Sequence, residues 1–63
     1  MKSRLIYQIN HNDSFTEVIN ITVSSFEEAK EIILDIMMNH ILERAKYEEY
    51  DNNKITKRIN FCL

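Results

Sequence analysis

Ser24-Ser25-Phe26-Glu27-Glu28-Ala29 decides the fold, because a two-residue alternation of apolar side chains (Ile19, Ile21, Val23) stops there and a helical period begins. Ser25, with Glu28 three residues on, is a capping box. The Ser25 hydroxyl accepts from the Glu28 backbone N–H, and the Glu28 carboxylate reaches back to the Ser25 N–H. A strand therefore ends, and a helix starts, within a few residues of Ser25.

Working back from this point, Phe15 to Val23 reads as one strand, and Arg4 to Asn10 as an earlier one with Leu5, Tyr7 and Ile9 on one face. His11-Asn12-Asp13-Ser14 between them supplies side chains suited to a turn, and Asn or Asp can take the left-handed conformation in a chain without glycine. Working forward, Phe26, Ala29, Ile33, Ile36 and Met37 form a helical stripe wide enough to cover a sheet. The helical spacing continues to about Glu49. Such a helix is about 36 Å long against about 23–30 Å for a strand of seven to nine residues, so it overhangs the sheet or breaks near Asn39-His40. Asp51-Asn52-Asn53 then reads as a loop, and Ile55 to Leu63 as a third strand with Ile55, Ile59, Phe61 and Leu63 on one side.

This order predicts one α+β domain over residues 1–63. Its architecture is a three-stranded antiparallel sheet, β-β-α-β in order 2-1-3, with one long helix packed on one face. The other face carries Arg4, Ile6, Gln8, Thr16, Val18, Asn20, Thr22, Thr56, Arg58, Asn60 and Cys62, a mainly polar set that can meet water.

A chain of 63 residues buries only roughly 60% of its unfolded surface, and with Cys62 as its one cysteine no internal disulfide or Cys-based zinc site can assist. That usage fits a reducing, cytoplasmic setting. The first ten residues lack the apolar core of a secretory signal, and no apolar run is long enough to span a membrane. The net charge of −2 is unevenly spread, since residues 27–51 are acidic while Lys2, Arg4, Lys54, Lys57 and Arg58 make the ends basic. His11, His40 and Cys62 stand apart without metal-ligand spacing, no nucleophile is set beside a base, and phosphate loops need glycines that are absent. The sequence therefore predicts no enzyme, no metal site and no cofactor.

One pattern exceeds what folding needs. Leu34, Met38, Ile41, Leu42 and Ala45 form a second apolar stripe, and Met38, Leu42 and Ala45 point away from the sheet on a continuous helix. A contiguous exposed strip of this kind marks a protein contact, with a second copy of the chain or with a partner. His40, Arg44 and Glu48 extend the core-facing side beyond the sheet as intrahelical pairs, and Tyr47 and Tyr50 follow as interface anchors. Glu28, Glu31, Asp35 and Glu49 make an acidic stripe beside the apolar one, suited to a basic groove such as one that normally holds nucleic acid. The expected protein-binding residues are Glu31, Leu34, Asp35, Met38, Leu42, Tyr47 and Tyr50. An alternative places DNA or RNA on the open sheet face through Arg4 and Arg58, where stacking aromatics are missing because Tyr7 and Phe61 point toward the helix.

Gly, Pro and Trp are absent, while Ile, Asn, Lys, Tyr and Phe supply 28 of 63 residues, the usage of A- and T-rich codons. With the capped helix start at Ser24 to Ala29, the acidic stripe and exposed Met38 and Leu42, the chain resembles the small inhibitors encoded by phages and mobile elements, of the anti-CRISPR and antitoxin kind. The resemblance implies a non-enzymatic protein that sterically blocks a host target, such as a CRISPR nuclease or a toxin, in the host cytoplasm. A nucleic-acid-binding regulator and a dimeric structural subunit are the other two readings.

Overall fold

The computed structural model describes residues 2–11 and 15–62, and in them β1 (Lys2–Asn10), β2 (Thr16–Val23), α1 (Phe26–Asn39), β3 (Ile41–Asp51) and β4 (Lys54–Asn60) follow in chain order. The strands pair antiparallel in the order β2-β1-β3-β4, and α1 packs on one face. The α+β class and the internal position of β1 agree with the sequence. The expected three-stranded 2-1-3 sheet is corrected to four strands, and the last strand lies beside β3 rather than β1. Apart from His11, the expected turn at His11-Asn12-Asp13-Ser14 lies outside the described residues.

The correction arises at His40. The helix stops at Asn39, His40 is extended (φ −142°, ψ 163°), and its N–H closes the last turn onto the Ile36 carbonyl at 2.8 Å. Ile41 to Asp51 then runs as a strand, with Ala45 and Tyr47 on the helix side and Arg44, Lys46 and Glu48 on the other. Leu42 and Arg44 would share a face in a regular strand. A bulge at Glu43 breaks the parity, so that Leu42 aligns with the core residue Ile9 and Arg44 with Gln8 on the open face. It also turns the Glu43 carboxylate to accept from the Gln8 and Asn10 amides at 2.8 and 3.1 Å.

Asn52 and Asn53 close the β3–β4 hairpin with φ of 50° and 65°. A two-residue turn that follows the sheet twist needs positive φ at both positions, and without glycine asparagine is the residue that reaches it at least cost. A second irregularity, near Thr56, pairs Ile55 with Tyr50, so Ile55 lies on the open face and not beside Ile59 as the simple alternation predicts. Cys62 follows β4 and is exposed.

The core is Leu5, Tyr7 and Ile9 of β1, Val23 of β2, Ala29 and Ile33 of α1, and Ala45 and Tyr47 of β3. Ser25 caps the helix as expected, accepting from the Glu28 N–H at 3.1 Å. The return contact differs by one residue: the Glu28 carboxylate takes the Ser24 N–H at 3.0 Å and the Ser24 hydroxyl at 3.2 Å. No helix among the described residues is long and apolar enough to cross a membrane.

Candidate protein-binding surface

Helix α1 lies over β3 and β2, with Ile32 and Ile36 on one flank packed against the core beside Ile19 and Ile21 of β2. Its other flank, carrying Lys30, Leu34 and Met37, faces the side on which β4 extends the sheet. The helix does not reach over that strand. An open groove of about 600 Å³ remains between them, lined by Phe26, Ile33, Leu34, Met37, Ile59 and Phe61, with Lys30, Asn60 and Cys62 completing it. Phe26 closes one end, its ring stacked on Phe61 at 5.6 Å and edge-on to Tyr47 at 5.2 Å.

Leu34 keeps 63% of its surface exposed, Met38 83%, Met37 half and Ile41 slightly more than half. A side chain on a one-helix, four-strand fold is left bare where the helix is too narrow for the sheet. The exposure of Leu34 and Met37 and the groove therefore have one geometric cause, whereas Met38 and Ile41 lie at the end of the helix beside His40.

The expected binding residues separate accordingly. Leu34 and Met38 are exposed together on α1, and Glu31 and Asp35 are exposed on its outer side. Leu42 is removed from that strip, because it belongs to β3 and packs against the core opposite Ile9. Tyr47 is not a surface anchor: it is 1% exposed, and its hydroxyl donates to the Glu49 carboxylate at 2.6 Å. Burial pushes the Tyr47 phenol above its usual range and the bond to Glu49 adds to this, so it stays a neutral donor. Tyr50 lies on the open sheet face under the Arg4 guanidinium, 5.0 Å from its ring centre. The acidic stripe shortens, since Glu28 is held by Ser24 and Glu49 lies on β3.

On the open sheet face, Arg4 and Arg58 converge on Glu48, which is 1% exposed. Arg4 Nε and Nη2 each lie 2.9 Å from Oε1, Arg58 Nε lies 2.8 Å from Oε2, and Lys46 Nζ stands 3.7 Å from the latter. Burial alone would raise the Glu48 carboxyl. Hydrogen bonds from Arg58 and Arg4, with the Lys46 and Arg4 charges, outweigh it and hold the carboxyl below the usual carboxylate range. The register sets Arg4, Glu48 and Arg58 in one row across three strands. The two arginines expected to meet phosphate are thus already engaged by a carboxylate. Arg44 and Lys46 also face this side, around a shallow hollow of about 360 Å³ floored by Ile6.

Two features escape the sequence reading. Met37 falls in the buried stripe there, because the narrowness of the helix relative to four strands is a tertiary property. Ile59 and Phe61 face the helix side as the alternation predicts, with Phe61 stacked on Phe26, and they line the groove. Glu48 was read as a helix residue, although Arg44, Lys46 and Glu48 alternating with Ala45 and Tyr47 carry a strand signal. Among the described residues no cluster of His, Cys, Asp and Glu is arranged to hold a metal ion. No protein-family model, curated protein or solved structure matches the chain.

Proposed function

We propose that the chain is a non-enzymatic protein-binding module that inhibits its partner by covering it, in the manner of the small phage and mobile-element inhibitors it resembles, with a host nuclease or toxin as the kind of target. The reading rests on exposed Leu34 and Met37 lining an open apolar groove, with exposed Met38 and Ile41 next to them at the end of the helix. An apolar patch that the fold leaves uncovered is stabilised when a partner removes it from water, by roughly 25 cal/mol per Å² of apolar area. Glu31 and Asp35 adjoin the patch as charged groups that select among partners.

The test is capture from a low-GC bacterial lysate with tagged protein, at moderate and high salt, repeated with Leu34→Asp plus Met38→Lys. The double variant should lose the captured protein by at least about tenfold, 1.4 kcal/mol, with its circular dichroism unchanged. Retained capture would remove α1 from the interface.

A second reading, nucleic-acid binding on the open sheet, is favoured by the grouping of Arg44 and Lys46 with Arg4 and Arg58 on that face. It predicts that bound nucleic acid is released by salt and that Arg44→Ala with Lys46→Ala lowers the salt slope by about 2. The buried Glu48 carboxylate within this group opposes it, and protein binding remains the function the surface supports best.

A further inference from the structure

Strand β4 is an edge strand, with no strand beside it in the β2-β1-β3-β4 order. The Phe61 N–H points inward to the Ala45 carbonyl at 3.0 Å, so the alternation of an antiparallel ladder turns the N–H of Asn60 outward. The apolar groove meets the C-terminal end of this strand on the helix side, at Ile59 and Asn60. The strand's charged residues are all cations: Lys54, Lys57 and Arg58. On its inner side β4 already accepts a strand of definite chemistry, because Asp51 faces Lys54, Glu49 faces Lys57, Glu48 faces Arg58, and the ring of Tyr47 faces Ile59.

Resting on the protein-binding reading above, we infer that β4 takes up an extended, acidic segment of a partner protein as a fifth strand, whose helix-side residues are apolar where they meet the groove at Ile59 and acidic where they meet Lys57 and Lys54. The partner strand repeats on the outer side the pattern that β3 supplies on the inner side. Main-chain hydrogen bonds to the open edge hold it, the groove takes its apolar residues, and Lys57 and Lys54 on the same face select for acid, Arg58 being held by Glu48 on the other. A second copy of β4 is the wrong occupant, since antiparallel self-pairing sets Lys57 and Arg58 among their own kind. Lysines on an edge deter such self-pairing, and the same charges draw an acidic strand. The other edge does not offer this arrangement: β2 (Thr16–Val23) has Glu17 as its one charged residue, and its Ile19 and Ile21 are packed against the core.

The experiment titrates isotope-labelled protein with the eight-residue peptide Thr-Val-Thr-Val-Thr-Glu-Thr-Glu, whose valines and glutamates share one face as Ile59, Lys57 and Lys54 do, and with its counterpart carrying lysine for glutamate, reading amide shifts and hydrogen exchange. The acidic peptide should protect β4 amides and shift Leu34 and Met37, while the basic peptide should not. Lys54→Glu with Lys57→Glu should weaken binding at least about tenfold, 1.4 kcal/mol. Asn60→Pro, which removes an outward N–H and leaves the Phe61 bond to β3 in place, should do the same. Equal binding of both peptides, protection of β2 instead, or no protection of β4 at about 1 mM peptide, the weak end of association, would overturn the inference. So would β4 protection that depends on protein concentration without peptide, the mark of a second copy. Capture of a protein partner lost in the Leu34 and Met38 double variant but kept in the β4 variants would overturn strand addition alone. Capture kept in the double variant would count against the broader reading instead.

Discussion

A single carboxylate, that of Glu48, ties three strands together through Arg4 on β1 and Arg58 on β4. Its low folded-state pKa makes this tie sensitive to acid. The unfolded chain takes up the proton at a higher pH than the folded one, so the contribution is complete above the ordinary glutamate value of about 4.3 and is lost as pH falls through the lower folded value. Glu48→Gln should cost about 1.5–3 kcal/mol at pH 7, the range for hydrogen bonds to charged groups. Urea midpoints compared at pH 7 and pH 3 check this, and the gap between wild type and variant should narrow at the lower pH. A constant gap would mean that the carboxylate charge contributes nothing. Arg4 and Arg58 keep side-chain exposures of 32% and 49%, so they return to water when released, and for this reason the expected cost lies below that of a wholly buried pair.

At the scale of elements, the two asparagines of the β3–β4 turn carry a conformational requirement that packing does not impose. Asn53→Val should destabilise by about 1–2 kcal/mol because a branched side chain resists positive φ, whereas Asn53→Gly should be neutral within a few tenths. Denaturant midpoints for the pair distinguish this from a general loss of surface polarity, which would affect both variants alike. The first half of the chain was legible in such local terms. The Ser25 cap, the Leu5-Tyr7-Ile9 face and the Ile19-Ile21-Val23 face are each set by neighbours in sequence. In the second half the break near Asn39-His40, the Asn52-Asn53 turn and the strand after it follow the sequence, but β3 does not, because Leu42, Ala45, Arg44 and Glu48 fit helical spacing while the bulge at Glu43 interrupts the strand alternation that would have revealed it. Helix propensity favours Leu, Glu, Arg, Ala and Lys in that stretch, and the register with β1 overrides it. The same misreading moved Tyr47 to the surface and left Leu34 and Met38, whose helix was correctly placed, as the legible part of the candidate site.

For the molecule as a whole, stability of about 0.05–0.15 kcal/mol per residue gives 63 residues only about 3–9 kcal/mol. Leu5, which has no exposed surface, should lose about 2–5 kcal/mol as Leu5→Ala and bring the chain close to unfolding at 37 °C. The exposed Leu34→Asp, Met38→Lys pair should stay within about 0.5 kcal/mol per site. Thermal melts decide between them, at about 4–8 °C per kcal/mol for a domain of this size. A Leu5→Ala variant that melts with the wild type would refute this division between core and surface. The place of β1 in the sheet also has a consequence in time. Its register partners on β3 lie 31 to 48 positions further along the chain, from Asn10 and Ile41 to Lys2 and Tyr50. At about 5–20 residues per second, synthesis leaves an interval of roughly two to ten seconds between them. Throughout it Leu5, Tyr7 and Ile9 are without their β3 partners, and for those seconds a nascent chain of this kind carries a strand whose second edge cannot yet be closed.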